Sequence, residues 1–371
     1  MKFPKRQLEQ LIKRNEENKL RTLKIVDGLI DFSSNDYLGI SRNRLFIQKL
    51  HSDNAPIGAT GSRLLSGNSR AAMDAEAYLA DLFKSESALI FNSGYNANLA
   101  VLSSIPQRND AIFYDELSHA SIKDGIRLSL ASKVSFKHNS LTDLEKKMSK
   151  VDGEKFVIVE SAYSMDGDFC PLEELISLCK KHSAYLIIDE AHCTGLLGDN
   201  GGGLVENLGL EEEIFCRILT FGKAIGHHGA AVLGSKDLTE YLINYARPFI
   251  YTTALPPSSY SLIKLIFKSI PQLRNERYQL KENITLYNSL FEKHLETKYD
   301  RIKSDHPIQT IIIPGNSQVK FTSEELAKKG FDVRPILSPT VREGSERLRI
   351  CLHSFNTSDE ISNLVHSLAE L

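Results

Sequence analysis

Between residues 88 and 234 the sequence keeps returning to one unit: a short apolar run, a polar turn, then a segment with helical spacing. The runs lie at 88–91, 111–114, 156–159, 185–188, 218–220 and 230–234. Helix-like segments at 71–83, 96–104 and 122–130 flank or separate them, and Pro171 opens the helix LEELISLCKKH, where a missing N–H costs nothing. Strands that are apolar throughout are buried on both faces, and helices of roughly ten residues between them serve as crossovers. The pattern predicts an α/β fold: a mostly parallel sheet with helices on both faces.

The pattern stops at Pro256-Pro257. A long helical stretch, 258–298, then precedes three strand-like pieces at 308–313, 331–333 and 347–352 and a closing helix. That outline is a smaller α+β domain. At the other end, residues 5–20 carry Leu8, Leu11 and Ile12 among charges, an amphipathic helix expected to lean on a neighbour such as a partner subunit. A short strand at 29–32 leads into the polar turn Ser33-Ser34-Asn35-Asp36. The expected organisation is an N-terminal arm and strand (1–45), a large domain (46–255) and a small C-terminal domain (256–371).

Composition narrows the classes. The 371 residues carry 45 Lys+Arg against 47 Asp+Glu, so no charge excess points to nucleic acid. The five cysteines are scattered without a C-x-x-C pair, which favours free thiols over disulfides or zinc. No apolar run approaches the roughly 20 residues of a membrane span, and the charged N-terminus lacks the apolar core of a secretory signal. A cytoplasmic protein is the expectation.

In a parallel sheet, ligands bind beyond the carboxyl ends of the strands. Asp189 closes the run YLIID, and His192 follows in DEAHCTG. Lys223 lies just past the run ILT, in TFGKAIG. The turn Asn92-Ser93-Gly94-Tyr95 joins a strand to a helix, where backbone N–H groups and the helix dipole can hold a phosphate. Singly, a strand-ending Asp or a lone Lys is usually structural. Together they match the needs of pyridoxal phosphate: a carboxylate for its ring nitrogen, a lysine for its aldehyde, a cup for its phosphate and a ring on its face.

The motifs resemble the α-oxoamine synthases, pyridoxal-phosphate enzymes of fold type I, the aspartate-aminotransferase-like fold. The resemblance spans roughly residues 21–355 and rests on NDYLG (35–39), GSRLLSGN (61–68), FNSGYNAN (91–98), LSHAS (117–121), SMDGD (164–168), DEAH (189–192), TFGKAIG (220–226), YTTALPP (251–257) and RLRI (347–350). It implies a condensation of an amino acid with an acyl thioester, with release of carbon dioxide. It further implies that Lys223 is the Schiff-base lysine, Asp189 the partner of the ring nitrogen and His119 the ring stacked over the cofactor. Ser164 and His192 resemble the residues that bind the ring hydroxyl; Gly94, Tyr95 and Thr220 match cofactor and phosphate contacts. Thr252 and Thr253 resemble residues that reach the phosphate of a neighbouring subunit, which implies a homodimer. Asn35 and Arg349 match holders of the amino-acid carboxylate, and Arg21 and Thr340 match positions near the acyl substrate. The stretches TFGKAIGHHGAAVLGS and YARPFIYTTALPPS look most like the member that joins L-alanine to a pimeloyl thioester, carried by coenzyme A or a carrier protein. Other members use glycine with acetyl-CoA or succinyl-CoA, or serine with palmitoyl-CoA.

One departure from the family pattern stands out. Ala72 and Ala75 occupy positions usually held by His and Leu ahead of Glu76, and Arg70 is an added charge, so a reshaped substrate entrance is expected there. Other chemistries find less support. His227-His228 is an adjacent pair in a glycine-rich turn, and no metal site is expected from it. Cys193 beside His192 lacks an accompanying oxyanion motif. GSRLLSG lacks the Lys-Ser/Thr of a P-loop. An idle scaffold of the same fold is opposed by intact Lys223, Asp189 and His119. An aminotransferase is opposed by SHAS, YTTALPP and RLRI.

Overall fold

The computed structural model describes residues 3–17, 19–23, 25–52 and 56–371. Its strands are β1 (Ile30–Asp31), β2 (Ser87–Phe91), β3 (Ala111–Asp115), β4 (Ser132–Phe136), β5 (Lys155–Glu160), β6 (Ala184–Asp189), β7 (Cys216–Thr220), β8 (Ala230–Gly234), β9 (Ile308–Ile312), β10 (Phe331–Asp332), β11 (Arg334–Ile336) and β12 (Arg347–Cys351). The chain divides into two compact units. The larger holds residues 38–164 and 169–277; the smaller holds the N-terminal residues up to Tyr37, Met165–Asp168 and Tyr278–Leu371.

In the larger unit seven strands form one sheet in the order β2-β8-β7-β6-β5-β3-β4. β8 runs antiparallel to both neighbours, and every other pairing is parallel. Successive residues of a strand feed opposite cores. Ile158 and Ile187 pack with Val101, Ile122 and Ile126 on one face. Val157, Val159, Leu186 and Ile188 pack with Leu144, Leu172 and Leu175 on the other. Each such side chain contributes about 1.5–3 kcal/mol of burial, which is why these strands are apolar without alternation. One neighbouring element is silent in the hydrophobic pattern: β4, whose SKVSF is mostly solvent-facing at the sheet edge. The helix Leu141–Met148 that follows carries Leu141, Leu144 and Met148 at helical spacing, a signal that the expected pattern omits.

The expected helix at 258–298 is two helices, Pro257–Ser269 and Arg274–His294, joined by a 3-10 turn at Ile270–Gln272. Pro271 explains the break, since it cannot donate a helical N–H and its ring crowds the preceding turn. The first of the two packs on the helix Arg70–Leu82, and Phe267 meets Phe83 and Phe221 edge-on. Residues 257–277 therefore belong to the larger unit, and the division falls after Arg277, not at Pro256. Pro171 stands just before its helix, Leu172–Lys181, as the capping residue.

The smaller unit has a three-stranded antiparallel sheet, β11-β12-β9, and a parallel pair in which β1 lies on β10. That pairing draws the N-terminal arm into this unit. The helix Lys5–Glu16 leaves Leu8, Leu11 and Ile12 exposed, and none of the described residues covers its apolar face. Among the described residues no helix is long and apolar enough to cross a membrane.

Candidate active site

In the larger unit three adjacent parallel strands end on polar residues: Glu160 on β5, Asp189 on β6 and Thr220 on β7. Asp189 is buried, and both carboxylate oxygens are held. Oδ1 accepts the N–H of Ala191 at 2.9 Å, and Oδ2 accepts from Asn98 Nδ2 at 2.7 Å. Asn98 also donates to Ser121 Oγ at 3.1 Å, and Ser121 Oγ lies 2.8 Å from His119 Nδ1. One chain of contacts thus runs from Asp189 through Asn98 and Ser121 to His119. Burial pushes the His119 imidazole below its ordinary pKa, with Asp189 opposing, so the ring is neutral near pH 7.

Lys223 follows β7 in a tight turn closed by Gly226 N–H to Lys223 C=O at 2.7 Å and His227 N–H to Phe221 C=O at 2.7 Å. Gly226 has φ +61°, and a Cβ there would collide with the backbone of Ser41, so only glycine suits the turn. The Lys223 amine lies 2.7 Å from Nε2 of His192, which is buried in the turn after β6. Thr220 is buried, and its hydroxyl donates to the Ala191 carbonyl at 3.4 Å.

The helix Gly94–Ser104 starts beside these groups. Ser93 caps it by accepting from Asn96 N–H, and a Cβ on Gly94 would stand 2.6 Å from Thr220 Cγ2. Its first turn therefore approaches the end of β7 as closely as a residue without a side chain allows. Tyr95 is exposed, and its hydroxyl donates to Asp124 at 2.6 Å. Thr252 Oγ1 accepts from Asn92 Nδ2 of its own chain at 2.8 Å, and Thr253 is exposed. Ser164 is half-buried in the turn that ends this unit's first segment.

The smaller unit makes its own cluster. Asn35 Oδ1 accepts from Arg349 Nη2 at 2.9 Å and from Tyr37 hydroxyl at 3.0 Å, while Arg349 Nη1 points at Cys351 Sγ at 3.0 Å. Arg349 is buried on β12. Arg21 and Thr340 are exposed, the latter in a turn closed by its N–H to the Leu337 carbonyl.

Ala72, Ala75, Glu76 and Cys193 all lie in packed or paired surroundings. Ala72 and Ala75 are fully buried in the helix Arg70–Leu82, where their small size serves its packing on β2 and on Pro257–Ser269. Glu76 pairs with both Nη atoms of Arg63 and accepts Ile90 N–H. Cys193 is buried with its thiol pushed well above the ordinary range by burial, so it offers no thiolate. Asn98, Ser121 and Glu160 join the site although no role was expected for them. Glu160 carries the same signal as Asp189, an acid closing an apolar run.

The aminotransferase class I and II family matches residues 27–368. The chain belongs to this family of fold-type-I pyridoxal-phosphate enzymes, and within it to the α-oxoamine synthases. It is 37% identical to the 8-amino-7-oxononanoate synthase of Emericella nidulans, over 96% of this chain and 93% of that one. Among solved structures it resembles the 8-amino-7-oxononanoate synthase of Francisella tularensis (30% identity, TM-score 0.81, 93% of this chain and 98% of that one). It also resembles the serine palmitoyltransferase of S. paucimobilis (26% identity, TM-score 0.89, 99% of this chain and 96% of that one).

The residues present fit pyridoxal phosphate. A held carboxylate, a lysine, a neutral imidazole and an open helix N-terminus surround the ends of three adjacent strands. Asn98 Oδ1, beside the group that holds Asp189, is buried without a hydrogen-bond partner among the described residues.

Proposed function

We propose that this chain is an acyltransferase that condenses L-alanine with a pimeloyl thioester, forming 8-amino-7-oxononanoate for biotin biosynthesis in the cytoplasm. The observation that carries the reading is the approach of Lys223 to His192 at 2.7 Å, one strand from the Asp189 carboxylate held by Asn98. When bound, pyridoxal phosphate supplies an electron sink that stabilises negative charge at the amino acid's Cα.

The chain's own residues supply the rest. Lys223 would be the residue that holds the cofactor through its aldehyde, and its Nζ is the base that would take the Cα proton. Asp189 keeps a proton on the ring nitrogen, and Asn98 fixes the carboxylate that does so. His119 would lie against the ring, and Ser164 and His192 would bind its hydroxyl. Gly94, Tyr95 and Thr220 hold the phosphate, with Thr252 and Thr253 reaching a neighbouring subunit's phosphate in a homodimer. Arg349 and Asn35 grip the substrate carboxylate, so that carbon dioxide is lost only after the new carbon–carbon bond forms. Arg21 and Thr340 line the acyl side.

The test is free-thiol release with alanine, glycine and serine against pimeloyl, acetyl and palmitoyl thioesters, on coenzyme A and on a carrier protein. Alanine with a pimeloyl thioester should be the fastest pair. Greater overlap with the S. paucimobilis enzyme favours a serine and long-acyl reading as the alternative. Fastest turnover of that pair would replace the proposal.

A further inference from the structure

Glu160 closes β5 where Asp189 closes β6, and the two are register partners in a parallel pair. Glu160 is buried, and its Oε1 accepts the backbone N–H of His119 at 2.6 Å. His119 is in turn the residue that caps the helix Ala120–Leu128. Glu160 therefore anchors the main chain of His119 while standing next to the carboxylate of Asp189. Among the described residues no lysine or arginine hydrogen-bonds to it.

We propose that Glu160 is a positioning residue that works as an un-ionised carboxylic acid, fixing His119 through the main chain and leaving the negative charge at this strand pair to Asp189. The physical reason is that a second carboxylate here would be a buried like charge beside the first. Every neighbouring element bears on the balance. Burial favours the neutral acid most, and Asp189 on β6 adds to it; Asp115 on β3 contributes in the same sense. The His119 N–H and Lys223 after β7 oppose, and the outcome is a carboxyl pushed up to about 8. His119 is itself held neutral by burial, Asp115 is engaged with His138 at 2.9 Å, and Tyr163, which follows β5, is a buried phenol pushed further up.

That His119 faces the cofactor rests on the function proposed above; the protonation of Glu160 does not. The two are tested separately on the full-length protein. An acid whose folded pKa is raised costs stability as pH climbs from its unfolded value of 4.5 to about 8, because only the unfolded chain ionises in that window. Glu160→Gln removes this cost. Its melting temperature should gain on wild type steadily from pH 5 to 8 and level off above. At pH 7 the wild type should also show an infrared stretch of a protonated carboxyl that Glu160→Gln lacks. A melting difference that stays flat across pH 5–8, or no lost band, overturns the protonation.

The positioning role is read from cofactor affinity. Glu160→Gln keeps an acceptor for His119 N–H and should bind pyridoxal phosphate like wild type, whereas Glu160→Ala strands that N–H and should weaken binding by about tenfold or more. Equal affinity in both variants overturns the positioning. If the wild type does not bind the cofactor, the proposed function falls, and the melting and infrared results still decide the protonation of Glu160.

Discussion

Asn98 Nδ2 donates at once to Asp189 Oδ2, at 2.7 Å, and to Ser121 Oγ, at 3.1 Å. One amide on the helix Gly94–Ser104 therefore sets the orientation of the strand-end carboxylate and of the hydroxyl that touches His119. The arrangement makes Asn98 the structural hub of the site, and it can be tested directly.

Asn98→Ala should remove both hydrogen bonds and leave a buried carboxylate with one fewer donor. The expected cost is about 1–3 kcal/mol in stability, with a weaker hold on the cofactor. Thermal melting and cofactor titration measure both. Asp189→Asn, in contrast, should fold normally and slow exchange of the substrate Cα proton by about 10²–10³-fold, because a neutral amide cannot balance a charged ring nitrogen. Near-normal exchange would remove Asp189 from its proposed role.

Lys223→Ala should lower turnover by at least about 10²–10⁴-fold, the range of a lost general base. The identity of the lysine can be checked without turnover. Borohydride reduction of the cofactor-loaded wild type, followed by peptide mapping, should place the pyridoxyl group on Lys223; a label on another lysine would falsify the assignment.

Arg349→Lys keeps the charge but not the planar fork that faces Asn35. Losing a charge-assisted hydrogen bond of about 1.5–3 kcal/mol should raise the KM for alanine by roughly tenfold to a hundredfold. Steady-state kinetics at saturating thioester gives the number, and an unchanged KM would release Arg349 from carboxylate binding.

The proposed sharing of sites between subunits has its own signature. Chains carrying Lys223→Ala, mixed and reassembled with chains altered at Thr252 and Thr253, should recover activity, because each heterodimer gains one site free of both defects. Heterodimers that form but stay inactive would show that the threonines act within their own chain, where Thr252 already meets Asn92.

The amino-acid sequence alone determined the larger sheet's character and the main chemical candidates. Runs such as FVIV and LII are apolar at every position because both faces are buried, and that demand is written locally. The strand-end positions of Lys223, Asp189 and His192 were legible, because each lies within a few residues of the end of an apolar run of the sheet. Elements without an apolar signature, such as the edge strand SKVSF, were not. The break at Pro271 was local in cause but easily read through, since helical spacing resumes on both sides of it. Only the tertiary structure decided which residues act together. Asn98 reaches Asp189 across 91 positions of sequence, and Glu160 meets Asp189 only because β5 and β6 pair in one register. A hydrogen bond or a like-charge contact depends on distances of a few ångströms, and those are set by packing between segments that the local sequence does not see.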